Sequence, residues 1–506
     1  MNIFQKTLAA CMGLVSTRAA ASYRQKCLAY AAGRRSGPNG AWRPKDGPVD
    51  LLIARDNKTV QARARALVRD SPNLCGAIRR ITNNVVFLGI RPQVQLRGLD
   101  GKRDRIANKM IEEDFKAWAE AVEFYDLQTL ALRHLWIDGG YLLNMAIDKS
   151  FWAHEGLVPL RPELIDINDL DRSVHGQLPN GNIALWGQEF NSQRRPVAYH
   201  IRRMISPFLM SHETVRLSAE TCKLVMVKER IGQSQPMSWL ASVIMTMHDF
   251  DEYQSSERIA ARLGAAFGVF VKLPANDYGG NDLNGQPLGG TLGTLAGGRS
   301  TDGRLIRPEK FISSGRIDTL PAGADIAVAK NERPSSSYEP YNKTTLRNAS
   351  TGIGMSAEAF SNDYSDASYS SARSASLEER RGYKVQQNEL NTKHNNFIWR
   401  HWCVLRAEFL GGGPKIPVNW QNPGWQWVDP TKDATAVEKR LQLGLTTRRL
   451  SCAEVGLDFD EVMEELAEER AAMLALGLNP EPWATNTQAT PEPEAEPSSE
   501  PKSKEE

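Results

Sequence analysis

The run IGMSAEAFSNDYSDASYSSAR, Ile353 to Arg373, joins the small-residue end of one helix to a loop of Ser, Asn, Asp and Tyr, and then to the long charged pattern Ser374 to Phe409. A loop this polar cannot be core, because each buried hydroxyl, amide or carboxylate would need a partner of its own. It is presented to something outside. A catalytic loop would set a nucleophile beside a base, yet the nearest histidine, His394, lies about six helical turns further on at 3.6 residues per turn. The segment reads as a contact surface held between two helices, with no catalytic residue in it.

Outward from this loop, helices dominate both flanks. Asn57 to Val68 and Asn73 to Val86 are amphipathic, the second opening on the Ser71-Pro72-Asn73 turn. Gly89 to Leu96 reads as a strand with Ile90, Val94 and Leu96 partly inward. Arg103 to Ala121 is expected to be a helix that places Ile106, Met110, Phe115 and Trp118 near one face. From Leu127 to Ile201 the pattern is mixed, with short strands at Tyr141 to Ile147, Leu164 to Ile167, Ile183 to Trp186 and Val197 to Ile201. Ser234 to Phe267 is expected to be the longest helix, with Met237, Leu240, Ile244 and Met247 recurring at three and four residues and Ile259, Leu263 and Phe267 continuing the stripe.

With 506 residues the chain exceeds what one hydrophobic core organises, so two or more lobes are expected. Its hydrophobic fraction of 41% and charged fraction of 24% are those of a folded, water-exposed protein. No window approaches the ~18 apolar residues of a membrane span, so no membrane partner is expected. Residues 1 to 20 begin like a weak signal peptide, but the apolar stretch Leu8 to Val15 is short and runs into basic sequence, which favours a flexible or removable leader. The six cysteines carry no CxxC pair and no histidine cluster, so neither zinc nor a disulfide framework is expected, and no metal or cofactor is assigned. His394 and His401 share a helical face and are read as packing or hydrogen-bonding residues.

Net charge is +2, but residues 51 to 110 hold thirteen Lys or Arg against four Asp, while the last 26 residues hold seven Glu against two Lys. A basic helix is in the first instance a solvated face. The glycines between Gly279 and Gly298 suggest a phosphate cradle, but no Gly-Lys-Ser/Thr follows. Residues 274 to 325 instead read as a long hairpin-like insertion, and the Pro/Glu-rich residues 481 to 506 as a disordered acidic tail. Trp420, Trp425 and Trp427 could stack on unpaired bases, but a Trp-rich turn is more commonly a packing anchor.

Several stretches, in order over roughly residues 50 to 475, resemble the portal proteins of lambda-type tailed bacteriophages. They are Ala62 to Asn73 (ARARALVRDSPN), Gly76 to Val86 (GAIRRITNNVV), Gly89 to Pro92, Pro196 to Ile201 (PVAYHI), Arg230 to Gln233, Asp363 to Arg373, Trp420 to Lys432 (WQNPGWQWVDPTK), Gly444 to Arg448 and Glu454 to Asp460. Each is weak alone; their register carries the resemblance. It implies an α+β portal fold assembled as a ring, a dodecamer in the family, through whose centre double-stranded DNA is packaged and ejected. Residues 1–48 would form a flexible arm, 49–233 a wing, 234–268 a stem helix, 269–335 a clip and 336–355 the returning stem helix. A tunnel loop would occupy 356–370, a long wing helix 371–410 and a crown 411–480, with the tail at 481–506.

The resemblance implies a DNA-channel surface of Asn362, Asp363, Tyr364, Ser365, Asp366, Ser368, Tyr369, Ser370, Ser371 and Arg373. Asp363 and Asp366 would repel phosphates, the hydroxyls would offer exchangeable hydrogen bonds, and Arg373 just behind would limit the repulsion. Such contacts carry no base information, so DNA would be held without sequence specificity. With no nucleotide loop in the chain, the energy would come from a separate terminase large subunit docked on the clip. The other implied partners are the major capsid, scaffold and head-tail connector proteins, in the virion and, during assembly, the host cytoplasm. Two alternatives differ in class. A metal-dependent nuclease of phage DNA metabolism would use Asp166, Asp169 and Asp171, although no Lys or His completes that set; a monomeric capsid component would form no ring.

Overall fold

The computed structural model describes residues 46–98, 101–206, 211–265, 270–272, 318–320, 337–426 and 429–478. Residues 1–45 of the arm, the tail at 481–506, the glycine-rich stretch 279–298 and Trp427 lie outside these residues. The chain divides into a unit formed by Met1–Thr59 with Lys228–Met237 and a second formed by Val60–Val227 with Ser238–Glu506. In the first, Asp50 accepts from the Ser234 backbone (2.8 Å) and hydroxyl (2.7 Å) and from Gln235 N (3.1 Å). These bonds hold Ser234 and Gln235 in an irregular segment where the sequence suggested the start of a helix.

Helix α1 (Val49–Asp70) is followed after one residue by α2 (Pro72–Val85), where Pro72 stands at a position whose N–H a helix leaves unused. Strand β1 (Arg91–Val94) leads to α3 (Arg105–Ala121), capped by the Asp104 carboxylate on Ala107 N, and then to α4 (Phe124–Ile137). The buried stripe of α3 is Ile111, Phe115 and Trp118, while Ile106 and Met110 are 85% and 54% exposed. The expected face is thus wrong at its N-terminal end: Ile106 and Phe115, nine residues apart, fall roughly 180° apart on a helix. Helix α4 is buried at Phe124, Ala131, Leu132, Leu135, Trp136 and Ile137, so it shows no clean polar stripe.

Two small sheets follow. Strand β2 (Gly140–Ile147), after which comes α5 (Lys149–Glu155), lies between β3 (Leu160–Ile165) and the later β9 (Cys222–Met226). The second sheet runs in sequence through β4 (Gly176–Gln177), β5 (Ile183–Leu185), β6 (Gln188–Phe190), β7 (Pro196–Ser206) and β8 (Ser211–Ser218), all antiparallel. Glu189 anchors it from inside, accepting from Arg216 Nε and Nη2 (2.8 and 3.1 Å), from His200 (3.1 Å) and from the side-chain amides of Asn180 and Asn182.

The expected long helix starts about ten residues late. A 3₁₀ turn at Trp239–Ser242 precedes α6 (Ile244–Ala265), which buries Ile244, Met247 and Phe250 but exposes Ile259; the side chains of Leu263 and Phe267 lie outside the described residues. Strands β10 (Phe270–Lys272) and β11 (Asp318–Leu320) pair in parallel, so the ends of the insertion do not meet as the hairpin expected from sequence. Helix α7 (Tyr338–Ile353) ends on left-handed Gly354 and is followed by α8 (Ala357–Ser361). Helix α9 (Tyr369–Leu390) continues through a π-helical turn, Asn391–Asn395, into α10 (Asn396–Phe409).

Helices α3, α4 and α10 meet in an aromatic cluster in which Phe115 lies 5.1–5.3 Å from the rings of Trp118, Phe124, Trp399 and Trp402. Strand β12 (Val418–Gln421) pairs with β1 and brings Trp420 against this cluster. Beyond it stand α11 (Pro430–Gln442), α12 (Arg448–Glu454) and α13 (Phe459–Ala475), which bury no residue of their own. They meet the body through polar contacts, Arg103–Asp460 and Lys109–Glu464, both 2.8 Å, and through a backbone approach at Gly424. A Cβ on Gly424 would meet the Val455 carbonyl carbon at 2.3 Å and Gly456 N at 2.4 Å, neither a flexible atom. Gly424→Ala should therefore free 429–478 from the body while leaving the main core folded; limited proteolysis should cleave near that junction much faster than in the parent, and unchanged cleavage would refute the tight approach.

Candidate functional site

The polar loop is built from both ends. Ser356 caps α8 by accepting from Ala359 N (3.2 Å), and its own N–H donates to Glu379 Oε1 (2.7 Å), while Ala359 and Phe360 are buried. At the other end Ser368 caps α9 in a reciprocal pair with Ser371, at 3.0 and 3.2 Å, with the Ser370 hydroxyl 3.1 Å away. Tyr369, Ser370, Ser371 and Arg373 thus stand in the first turns of a helix. Between these anchors Asn362 takes a left-handed conformation (φ 57°), one asparagine tolerates.

The tip makes mainly local bonds. Asp363 Oδ1 accepts from the Ser365 hydroxyl (2.6 Å) and backbone N–H (3.0 Å), and these donors hold its carboxyl below the usual range. Tyr364 O accepts from Ala367 N (3.1 Å), and the side chains of Tyr364 and Tyr369 are exposed. Two cations from elsewhere reach this region. Lys343 on α7 bridges Asp366 and Glu339, each at 2.9 Å, and its hydrogen bonds to those carboxylates raise its pKa. Arg80 on α2 donates to Asn362 Oδ1 (3.2 Å) and to the Tyr364 hydroxyl (3.3 Å). Arg373 is paired with Asp433 of α11 at 2.6 Å.

This arrangement alters the expected electrostatics. Asp366 shares its charge with Lys343, and Arg373 is divided between Tyr369 and Asp433 of α11. Besides Lys343, the cation that bonds the tip is Arg80, nearly 300 residues away in sequence. The only local hint of it is the Arg79-Arg80 pair on an amphipathic helix.

The other singled-out residues are engaged structurally. Asp166 is half-buried, which opposes its ionised form, but Arg65 at 2.7 Å and Asn168 N at 2.9 Å more than offset this and lower its pKa. Burial likewise opposes ionised Asp171, which the Ser173 (2.6 Å) and Thr214 (2.6 Å) hydroxyls hold low. Asp169 instead lines a groove with Glu163, Arg202 and Arg203. Among the described residues, no group of three or more His, Cys, Asp or Glu is placed to hold a metal ion. His394 meets the Tyr141 hydroxyl at 2.8 Å, and burial lowers its pKa to about 3, so the imidazole is neutral. His401 is hydrogen-bonded to the Phe397 and Glu220 carbonyls. Trp420 donates to Asn396 (2.7 Å) and Trp425 to Asn84 (2.9 Å), so both serve as packing anchors. No described helix is long and apolar enough to cross a membrane.

The family model for phage portal protein, lambda family, matches residues 35–387. A probable portal protein of Halomonas phage phiHAP-1 is 25% identical over 501 residues, covering 93% of this chain and 91% of the relative. Portal protein B of Escherichia phage lambda is 20% identical over 509 residues, covering 93% of each chain. The portal protein of Escherichia phage N15 is 20% identical over 482 residues, with 88% and 89% covered. Among solved structures, a chain of the virion of a native gene transfer agent particle aligns at 11% identity and a TM-score of 0.37, covering 83% of this chain and 96% of that one. A chain from the neck of the native particle, computed with C12 symmetry, aligns at 10% identity and 0.36.

Proposed function

Because this chain belongs to the lambda family of phage portal proteins, we propose that its copies assemble into a ring, a dodecamer, at one capsid vertex and that double-stranded DNA passes through the centre. The observation that carries this reading is the family match over residues 35–387, which includes the polar loop. The geometry of that loop supports a DNA-facing role: exposed hydroxyls, two exposed tyrosines and a carboxylate satisfied by its own neighbours form a surface that can exchange bonds with a passing backbone without reading bases. We assign residues 356–370 to the passage wall, α6 and α7 to the paired stem, 269–335 to the clip and 411–480 to the crown.

On this reading the protein turns over no substrate itself. A terminase large subunit docked on the clip would supply the energy, and capsid, scaffold and head-tail connector proteins would meet the wing and the outer surfaces. Assembly would take place in the host cytoplasm, with the finished ring in the virion. Negative-stain images and native mass of the purified protein test this directly. Rings with a central hole are the expected result, whereas a stable monomer with DNA-cleaving activity lost in Asp169→Ala would favour the nuclease.

A further inference from the structure

The tip of the loop, Asn362 to Ala367, has no buried apolar side chain to fix it, and its bonds to the rest of the molecule come from two cations on two helices. The two are not equivalent. Lys343 sits between two carboxylates, so an arriving anion would have to displace both. Arg80 is bonded only to an amide oxygen and a phenol, at 3.2 and 3.3 Å, and no carboxylate pairs with it among the described residues. A guanidinium with neutral partners is a poor match satisfied for want of a better one. A phosphate offers it two parallel bonds in which both donor and acceptor are charged, in the fork geometry that an amide oxygen and a phenol do not supply.

Resting on the channel reading above, we propose that Arg80 is a phosphate-exchange residue: it holds the loop tip while the passage is empty and releases Asn362 and Tyr364 for a backbone phosphate when duplex DNA arrives. The Asp366–Lys343 pair stays closed, so the tip swings on that tether and is not lost. Asn362, at the end of α8 and already left-handed, is the pivot. Any phosphate serves equally, so the exchange is blind to sequence and each subunit can perform it independently.

The test uses assembled full-length rings carrying a genetically encoded fluorescent amino acid at Ser365, with tip mobility read as anisotropy and a short duplex as the probe. In wild-type rings at low salt the duplex should lower the anisotropy, and added salt should abolish that change. Arg80→Ala should give low anisotropy from the start and no further response, with weaker retention of the duplex. A second variant, Asn362→Gly with Tyr364→Phe, frees the tip without touching the cation; it should be mobile from the start, show no further anisotropy change with the duplex, and hold the duplex more strongly than Arg80→Ala does. A full DNA response in Arg80→Ala, or duplex retention with no change of mobility in wild type, overturns the exchange and leaves the channel reading standing. Failure of wild-type rings to retain duplex under any salt condition overturns both.

Discussion

Truncating Phe115 to alanine should destabilise the fold by about 3–5 kcal/mol, the usual cost of removing a fully buried aromatic ring. The side chain is 0% exposed and touches four aromatic rings from three helices, α3, α4 and α10. Those helices are separated by up to nearly 300 residues of sequence, so the ring closes a long-range contact that no local propensity can replace. A loss of this size is a large fraction of the roughly 5–15 kcal/mol that keeps a domain folded. Urea or thermal melting of the full chain measures it, and Phe115→Leu, which keeps most of the volume, should cost less than half as much. A loss below about 1 kcal/mol in the alanine variant would mean that the site collapses freely and that the cluster is no anchor. The consequence reaches the loop, because α9 and α10 run on from it through the π-helical turn and their docking sets where it starts and ends.

How far the fold was legible depended on how local its causes are. The helices 57–68 and 73–86 were readable because their apolar spacing and the Ser71-Pro72-Asn73 turn lie within a few residues, whereas those over 336–355 and 371–410 rest on the resemblance. Helix α4 was not, since burial on most sides leaves an apolar stretch that looks the same in a strand or a buried helix. The late start of α6 follows from Asp50, a partner 184 residues away, taking the N–H and hydroxyl of Ser234. The loop itself was legible as polar and presented, but its electrostatics were not. Lys343 and Glu339 stand at helical spacing, whereas nothing near Asp366 announces Lys343 and nothing near Tyr364 announces Arg80.

Replacing both Asp363 and Asp366 with lysine should slow or stall DNA translocation while leaving ring assembly intact. Each subunit loses two negative charges and gains two positive ones, and the change is repeated around the ring. The structure makes the two positions unequal: Asp366→Lys also strips Lys343 of a carboxylate and leaves two ammonium groups facing each other, whereas Asp363→Lys breaks only bonds to Ser365. Asp363→Lys alone should therefore be the milder variant. Every phosphate the collar neutralises releases counterions, so the trap weakens with salt. With six to ten such contacts engaged, its strength should fall on the order of 10³–10⁵-fold between about 50 and 200 mM salt. Packaging into preassembled proheads carrying parent or variant rings, run across that salt range, reads the effect. The double variant should stall at low salt and recover as salt rises, because a charge trap is screened and a folding defect is not. Equal packaging at every salt concentration, with intact rings, would place this loop away from the DNA. A deficit that salt does not relieve would instead mean that the loop acts through its shape, and that the Lys343–Asp366 contact, not the charge of the collar, is what translocation requires.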